Sequence, residues 1–345
     1  MSNEHNKEHH ERFEPTATRE RNVALELVRV TEAAALNAAL FMGRGDKIAV
    51  DGAAVKAMRS ALDGVDMDGV VVIGEGEKDQ APMLYVGEHV GNGMPPHLDV
   101  AVDPVDGTTL TAFGLAGAIA VVATAERGTM YSAPQGVYYM EKIAVGPGAA
   151  DVIDINASTQ DNLKKIAKVR KCQISDIIVT ILDRPRHQDL ITRVREAGAR
   201  IRLIRDGDVL AAIEAAMTDF KGVDVYMGIG GAPEAVLAAA ALKCVGGQML
   251  TRIWPRDDAE RDKLKGEGVD LDRIFTVDDL VNSDEVSFAA TGITSGEMLR
   301  GVEFVGDGAR TNSLMMRSHS GTIRYIEAIH RYSSKFAPEN QESHE

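Results

Sequence analysis

The stretch IIVTILDRPRHQDLITRVREAGARIRLI, residues 177–204, sets the architecture. Ile177–Leu182 is an apolar run of β-branched residues, as a buried strand requires. His187–Ala197 follows at helical spacing, and Arg200–Ile204 reads as a second strand. The alternation continues toward the C-terminus, with a helix over Val209–Met217, a strand over Val223–Met227 and a helix over Glu234–Lys243. Strands alternating with helices predict parallel strands joined by crossover helices. Upstream, Asn162–Val169 reads as a helix, and Gly146-Pro147-Gly148 marks a break.

The earlier part is less regular, and an α+β half within an overall α/β chain is expected. Helices are predicted over Arg21–Met42, closed by Gly43, and from about Ala53 to Leu62, closed by Gly64. Strands are predicted over Gly69–Ile73, Leu98–Val102, Ala118–Ala125 and Val137–Val145. The last section, Val286–Tyr332, returns to mixed strands and turns. A boundary near residue 150 divides the chain into 21–150 and 151–333. Residues 1–20, with His5, His9 and His10, read as a disordered tail, or as an adventitious metal binder, and residues 334–345 as a flexible tail.

Composition limits the function. The 345 residues carry 38 Lys+Arg against 52 Asp+Glu, a net charge of −14, which disfavours a general nucleic-acid or anionic-membrane binder. A local cation cluster or bound metals would still admit an anionic small substrate. Two cysteines, Cys172 and Cys244, cannot build a disulfide framework or a cysteine-based zinc site, and both read as core residues. No apolar run approaches the ~20 residues of a membrane span, and the N-terminal residues lack a secretory apolar stretch. A cytoplasmic chain is expected.

Chemistry gathers in three short segments: Gly43-Arg44-Gly45-Asp46-Lys47 leading to Asp51, Gly74-Glu75-Gly76-Glu77, and Asp103-Pro104-Val105-Asp106-Gly107-Thr108-Thr109. The last two follow predicted strands. Asp103 and Asp106 are three apart, so a turn at Pro104 and Gly107 can aim both carboxylates at one point. Each acid has a plain alternative: Asp103 and Asp106 as turn formers, Asp51 as a helix cap, Glu75 and Glu77 as solvated loop charges. Jointly they argue for a site, because carboxylates brought together repel or protonate unless hard cations bind them. Oxygen-only ligands favour Mg²⁺ or Mn²⁺ over Zn²⁺. Such metals suit phosphoryl transfer to water.

These motifs resemble the lithium-sensitive, metal-dependent sugar and inositol phosphatases. The further motifs Ala81-Pro82-Met83-Leu84-Tyr85, Asp183-Arg184-Pro185-Arg186-His187, Asp206-Gly207-Asp208 and Gly228-Ile229-Gly230-Gly231-Ala232-Pro233-Glu234 narrow the resemblance to class II fructose-1,6-bisphosphatase, over roughly residues 20–335. The resemblance implies a layered α-β-α-β-α fold with the active site between two subdomains. It implies hydrolysis of the 1-phosphate of fructose 1,6-bisphosphate, with Mg²⁺ or Mn²⁺ held by Asp51, Glu75, Asp103, Asp106 and Glu234. Thr108 and Asp51 are implied to activate the attacking water. Substrate contacts are implied at Asp106, Gly107, Thr108, Tyr139, Arg184, Pro185, Arg186, Asp206, Gly207, Asp208 and Gly231, with Glu77 as a supporting carboxylate. Many members carry Glu where this chain has Asp106, a ligand of the same charge. Soluble homo-oligomers, dimers or tetramers, are usual in the family.

Read on their own, Arg184 and Arg186 flank Pro185 and would point the same way from an extended segment, or would be solvated surface arginines. Asp206 and Asp208 would accept from sugar hydroxyls, or form a turn and a helix cap. Only one of Tyr138 and Tyr139 can face the cleft. His187 reads as a packing residue. The glycines at 228–231 do not make a dinucleotide loop, because position 233 is Pro. Pro233 suits a first helical turn instead. Other readings of the whole are a bifunctional fructose-1,6-/sedoheptulose-1,7-bisphosphatase, an inositol phosphatase and a silent sugar-phosphate sensor. The intact carboxylates and Thr108 argue against the sensor.

Overall fold

The computed structural model describes residues 21–76, 83–217 and 222–331. The polar segments 1–20 and 334–345 and the residue Glu77 lie outside the described residues. In chain order the main elements are α1 (Arg21–Ala39), α2 (Lys47–Leu62), β1 (Asp68–Ile73), β2 (His89–Val90), β3 (His97–Asp106), α3 (Thr108–Ala112), β4 (Ile119–Glu126) and β5 (Tyr139–Val145). They continue with α4 (Thr159–Arg170), β6 (Ile178–Leu182), α5 (Gln188–Glu196), β7 (Arg200–Ile204), α6 (Asp208–Ala216), β8 (Val225–Gly231), α7 (Ala232–Val245), β9 (Gln248–Ile253) and β10 (Ile274–Phe275). Four strands close the chain: β11 (Ser287–Gly292), β12 (Glu303–Val305), β13 (Gly308–Arg317) and β14 (Thr322–Arg331).

Two mixed sheets form. The first has the order β12-β13-β11-β4-β3-β1-β2, with β14 also paired to β13, and the second runs β10-β9-β5-β8-β6-β7. Strands β6, β7 and β8 are parallel, as the alternation around residue 177 predicts. Strand β5 pairs antiparallel with both β8 and β9, so the sheet is mixed rather than parallel. The sheets also divide the chain differently from a cut near residue 150. Strand β5 sits centrally in the second sheet, and β11–β14 return to the first. Strand pairing is nonlocal, so a break at Gly146-Pro147-Gly148 marks a turn without marking a change of sheet.

Buried side chains fall into three clusters that explain the layering. One joins α1 and α2 to a face of the first sheet, through Leu27, Met58, Val100 and Val122. A second fills the middle, from Val121 and Phe288 through α6 and α7 to Met140 and Tyr226. The third joins Ile143 and Val179 to α4 and α5 through Leu163, Ile166 and Val194. The result is helix, sheet, helix, sheet, helix. Helix α7 lies between the two sheets, and its run Ala235–Leu242 is buried on every side. A helix apolar all round is the type that tolerates that position. Cys244 is buried and Cys172 half-buried, both free.

Candidate active site

The site is built where strand ends and helix starts meet between the sheets. Asp46 caps α2 by accepting from the Ala49 N–H at 3.0 Å. The helix therefore starts at Lys47 rather than near Ala53, and Asp51 sits inside it instead of capping it. This leaves the Asp51 carboxylate free of a capping role. The Thr108 hydroxyl donates to Asp51 Oδ1 at 2.8 Å. Thr108 opens α3 immediately after Gly107, whose φ of +102° favours glycine. A Cβ at Gly107 would also lie 3.0 Å from Leu110 Cδ1.

Asp103 and Asp106 do not lie in a turn beyond a strand end, as their spacing suggested. Strand β3 runs through both, and its pairing with β4 slips between them: Asp103 faces Val121 and Asp106 faces Ile119. Three steps on β3 match two on β4, which is a β-bulge. Pro104 has no N–H to give the ladder, so the bulge falls there. The Val105 N–H turns to donate to Asp103 Oδ1 at 3.0 Å. The bulge does the aiming that the sequence assigned to a turn.

The carboxylates act on one another. Desolvation, then the charges of Asp51 and Glu234, push Glu75 up to about 7. Glu75 is nonetheless exposed as a residue, so solvent still reaches part of it. Burial, then Glu234 and Glu75, raises Asp103 well above the usual range. Burial, then Asp103 and Asp208, does the same to Asp106. Burial and then Asp208 raise Glu234, against a lowering by Lys142. Asp51 is raised by burial, opposed by the Thr108 hydrogen bond. Among the described residues, Asp106 Oδ2 and Glu234 Oε2 are buried with no hydrogen-bond partner. Unpartnered buried carboxylate oxygens cost free energy unless something positive meets them. Among the described residues no three His, Cys, Asp or Glu side chains are already grouped closely enough to hold an ion.

The second sheet supplies the opposite wall. Arg184 pairs with Asp206 at 3.5 Å. Pro185 starts a short 3-10 turn, Pro185–His187, so Arg184 and Arg186 do not project together from an extended segment. Proline's fixed φ suits that turn. The Arg186 guanidinium donates to the Ile229 carbonyl at 2.8 and 3.2 Å and lies 5.0 Å from the Tyr139 ring centre. Tyr139 is half-buried, and its ring meets Trp254 edge-on at 6.4 Å, whereas Tyr138 is exposed beneath Arg256. His187 is a structural bridge, as read. Its Nε2 accepts from the Ile229 N–H at 2.7 Å, so Nδ1 carries the proton and donates to the Leu182 carbonyl at 2.7 Å.

Asp206 and Gly207 lie at the start of α6, with Gly207 at its N-cap and Asp208 its first residue. The expectation that Asp208 is open to a sugar hydroxyl meets a constraint: Oδ2 is already taken by Lys142 Nζ at 2.7 Å, and the residue is 6% exposed. Gly228–Gly231 end β8, and Pro233 falls in the first turn of α7 as predicted. The glycines make room for carboxylates rather than for a nucleotide. A Cβ at Gly230 would sit 1.8 Å from Asp208 Oδ2, and one at Gly231 would sit 1.7 Å from Glu234 Oε2.

The arrangement thus gathers acids from α2, the loop after β1, β3, α6 and α7 opposite two arginines. A family described as bacterial fructose-1,6-bisphosphatase, glpX-encoded, matches residues 21–330. The chain belongs to this family. Among its relatives, fructose-1,6-bisphosphatase 1 class 2 of Escherichia coli (strain K12) is 44% identical over 334 residues, covering 93% of this chain and 98% of the relative. Fructose-1,6-bisphosphatase class 2 of Shigella flexneri matches to the same extent. In this fructose-1,6-bisphosphatase family member, sequence reasoning missed Lys142, Tyr226 and Trp254. Each lies in or beside an apolar strand, and no local pattern separates such a residue from core.

Proposed function

We propose that the chain hydrolyses the 1-phosphate of fructose 1,6-bisphosphate to fructose 6-phosphate and phosphate. It is then a phosphoric monoester hydrolase, in keeping with its family. Membership of the family supports the substrate, and the 2.8 Å hydrogen bond from Thr108 to Asp51 at the edge of the carboxylate cluster is the geometry that fits activation of water. A binding module needs no hydroxyl held against a carboxylate.

Asp51, Glu75, Asp103, Asp106 and Glu234 fit divalent cations, since oxygen ligands with unpartnered buried atoms call for positive charge. We assign Mg²⁺ or Mn²⁺ to them. Bound ions would neutralise phosphate charge and ease the ionisation of water. Thr108 donates its hydrogen bond to Asp51, so its oxygen is left to accept a hydrogen bond from the attacking water. As the water oxygen bonds to phosphorus, its proton passes to Thr108, and the Thr108 proton passes to Asp51. The phosphorus–O1 bond breaks, the departing sugar oxygen takes a proton from solvent, and Asp51 gives the proton it received back to solvent. Gly107 brings backbone close to the phosphate. Arg184, Pro185, Arg186 and Tyr139 hold the distal end of the sugar phosphate, and Asp206, Gly207, Asp208 and Gly231 line the sugar.

No helix among the described residues is long and apolar enough to cross a membrane. A cytoplasmic homo-oligomer is our reading, and light scattering behind size exclusion measures its order. The test of function is phosphate release by metal-stripped protein, with and without Mg²⁺ or Mn²⁺, on fructose 1,6-bisphosphate, sedoheptulose 1,7-bisphosphate and inositol 1-phosphate. Metal-dependent release from the first is expected. Release from inositol 1-phosphate alone would overturn the proposal.

A further inference from the structure

One cation is buried in the wall behind the carboxylates. Lys142, on β5, is the only buried lysine among the described residues, at 3% exposed. Its Nζ donates to Asp208 Oδ2 at 2.7 Å, and the Tyr226 hydroxyl donates to the same oxygen at 3.3 Å. Gly230 leaves the space that this pair fills, since a Cβ there would sit 3.0 Å from Lys142 Nζ and closer still to Asp208. Segments far apart in sequence, on β5, β8 and α6, are therefore shaped around a single ion pair. The pair is not remote from the cluster. Asp208 acts electrostatically on Asp106 and Glu234, and Lys142 acts on Glu234 with the opposite sign.

A further carboxylate beside five others is a surplus ligand for any hard cation. We infer that Lys142 is a positioning residue: its ammonium pins Asp208 to the wall, keeps that carboxylate out of the ion-binding set and fixes the net charge the cleft offers to divalent cations. The inference rests on the metal-dependent reading above. Lys142 acts through Asp208 and does not touch the reacting atoms. Its role is to keep Asp208 a hydrogen-bonded part of the wall instead of a ligand for metal.

The test is Mn²⁺ binding to metal-stripped protein by titration calorimetry, without substrate. Lys142→Met removes a positive charge and releases Asp208, so binding tightens roughly tenfold or gains one ion per chain. Asp208→Asn leaves Lys142 unopposed, so binding weakens roughly tenfold. The double variant removes both charges and returns to within about threefold of the wild type. Lys142→Arg keeps the wild-type ion count. A purely structural pair would move both single variants in the same direction, and that result overturns the inference. A double variant as weak as Asp208→Asn also overturns it, because Asp208 would then be a direct ligand. Should Lys142→Met fail to fold, the double variant buries no unpaired charge, and its comparison with Asp208→Asn carries the same test. Wild-type protein that takes up no Mn²⁺ would instead refute the metal-dependent reading itself.

Discussion

Replacing Thr108 with Ala isolates the proton path. The substitution removes the donor that lies 2.8 Å from Asp51 Oδ1 and leaves the carboxylates in place. A hydrogen bond to a charged group is worth about 1.5–3 kcal/mol net. A positioned proton transfer contributes about 10²–10⁴-fold. The turnover number should therefore fall by roughly 10²–10³-fold, about 2.7–4 kcal/mol of barrier. Substrate binding depends chiefly on the opposite wall, so KM should stay within about threefold. Thr108 is only half-buried, and its other side-chain contact is a long one, 3.3 Å to the Val105 carbonyl. Loss of the hydrogen bond to Asp51 should lower thermal stability by no more than about 3 kcal/mol. Thr108→Ser restores the hydroxyl and should recover most of the activity. The assay is steady-state phosphate release at saturating Mg²⁺ with melting curves alongside. A Thr108→Ala enzyme within twofold of wild-type turnover would refute the reasoning, as would a Ser variant as slow as the Ala variant.

Asp103→Asn removes one charge from the bulge of β3, and the affinity for Mn²⁺ should fall by roughly tenfold or more in a calorimetric titration. His187→Ala leaves the Ile229 N–H and the Leu182 carbonyl without their bridge, and chemical denaturation should show a loss of about 1–3 kcal/mol. Glu75 supplies one part of the pH dependence of metal-free protein, beside the other raised carboxylates of the cluster. Its folded value of about 7 lies above the ordinary 4.5, so the folded chain holds that proton more tightly. Stability from this source is present below pH 4.5 and is lost as pH rises through about 7. Melting of the chelated protein should drop across that window, and added divalent cation should remove the drop. Because Glu75 is partly open to solvent, the effect is a modest one.

The parts of the fold that were legible in the sequence are those with local causes. The parallel strands β6, β7 and β8 announce themselves by β-branched runs between helices. Asp103, Asp106 and Thr108 stand out because a proline and a glycine interrupt an apolar strand. The geometry behind them was less legible. Asp46 as the cap of α2 depends on one hydrogen bond to Ala49, and it moves Asp51 from a helix start to a helix interior. The bulge in β3 needs β4 beside it. The antiparallel place of β5 in the second sheet, and the return of β11–β14 to the first, are pairings between distant segments. Lys142 was invisible for the same reason. Its meaning lies in Asp208 and Gly230, 66 and 88 residues further on, and only the folded chain brings them together.

Hydrolysis by this chain means attack of water on the phosphorus of the 1-phosphate. A single turnover of fructose 1,6-bisphosphate in ¹⁸O-labelled water, with Mg²⁺ or Mn²⁺ added to stripped protein, tests it most directly. Fructose 6-phosphate should be the sugar product, with the label in the released phosphate and no turnover without metal. Label in the sugar, or fructose 1-phosphate as the product, would contradict it.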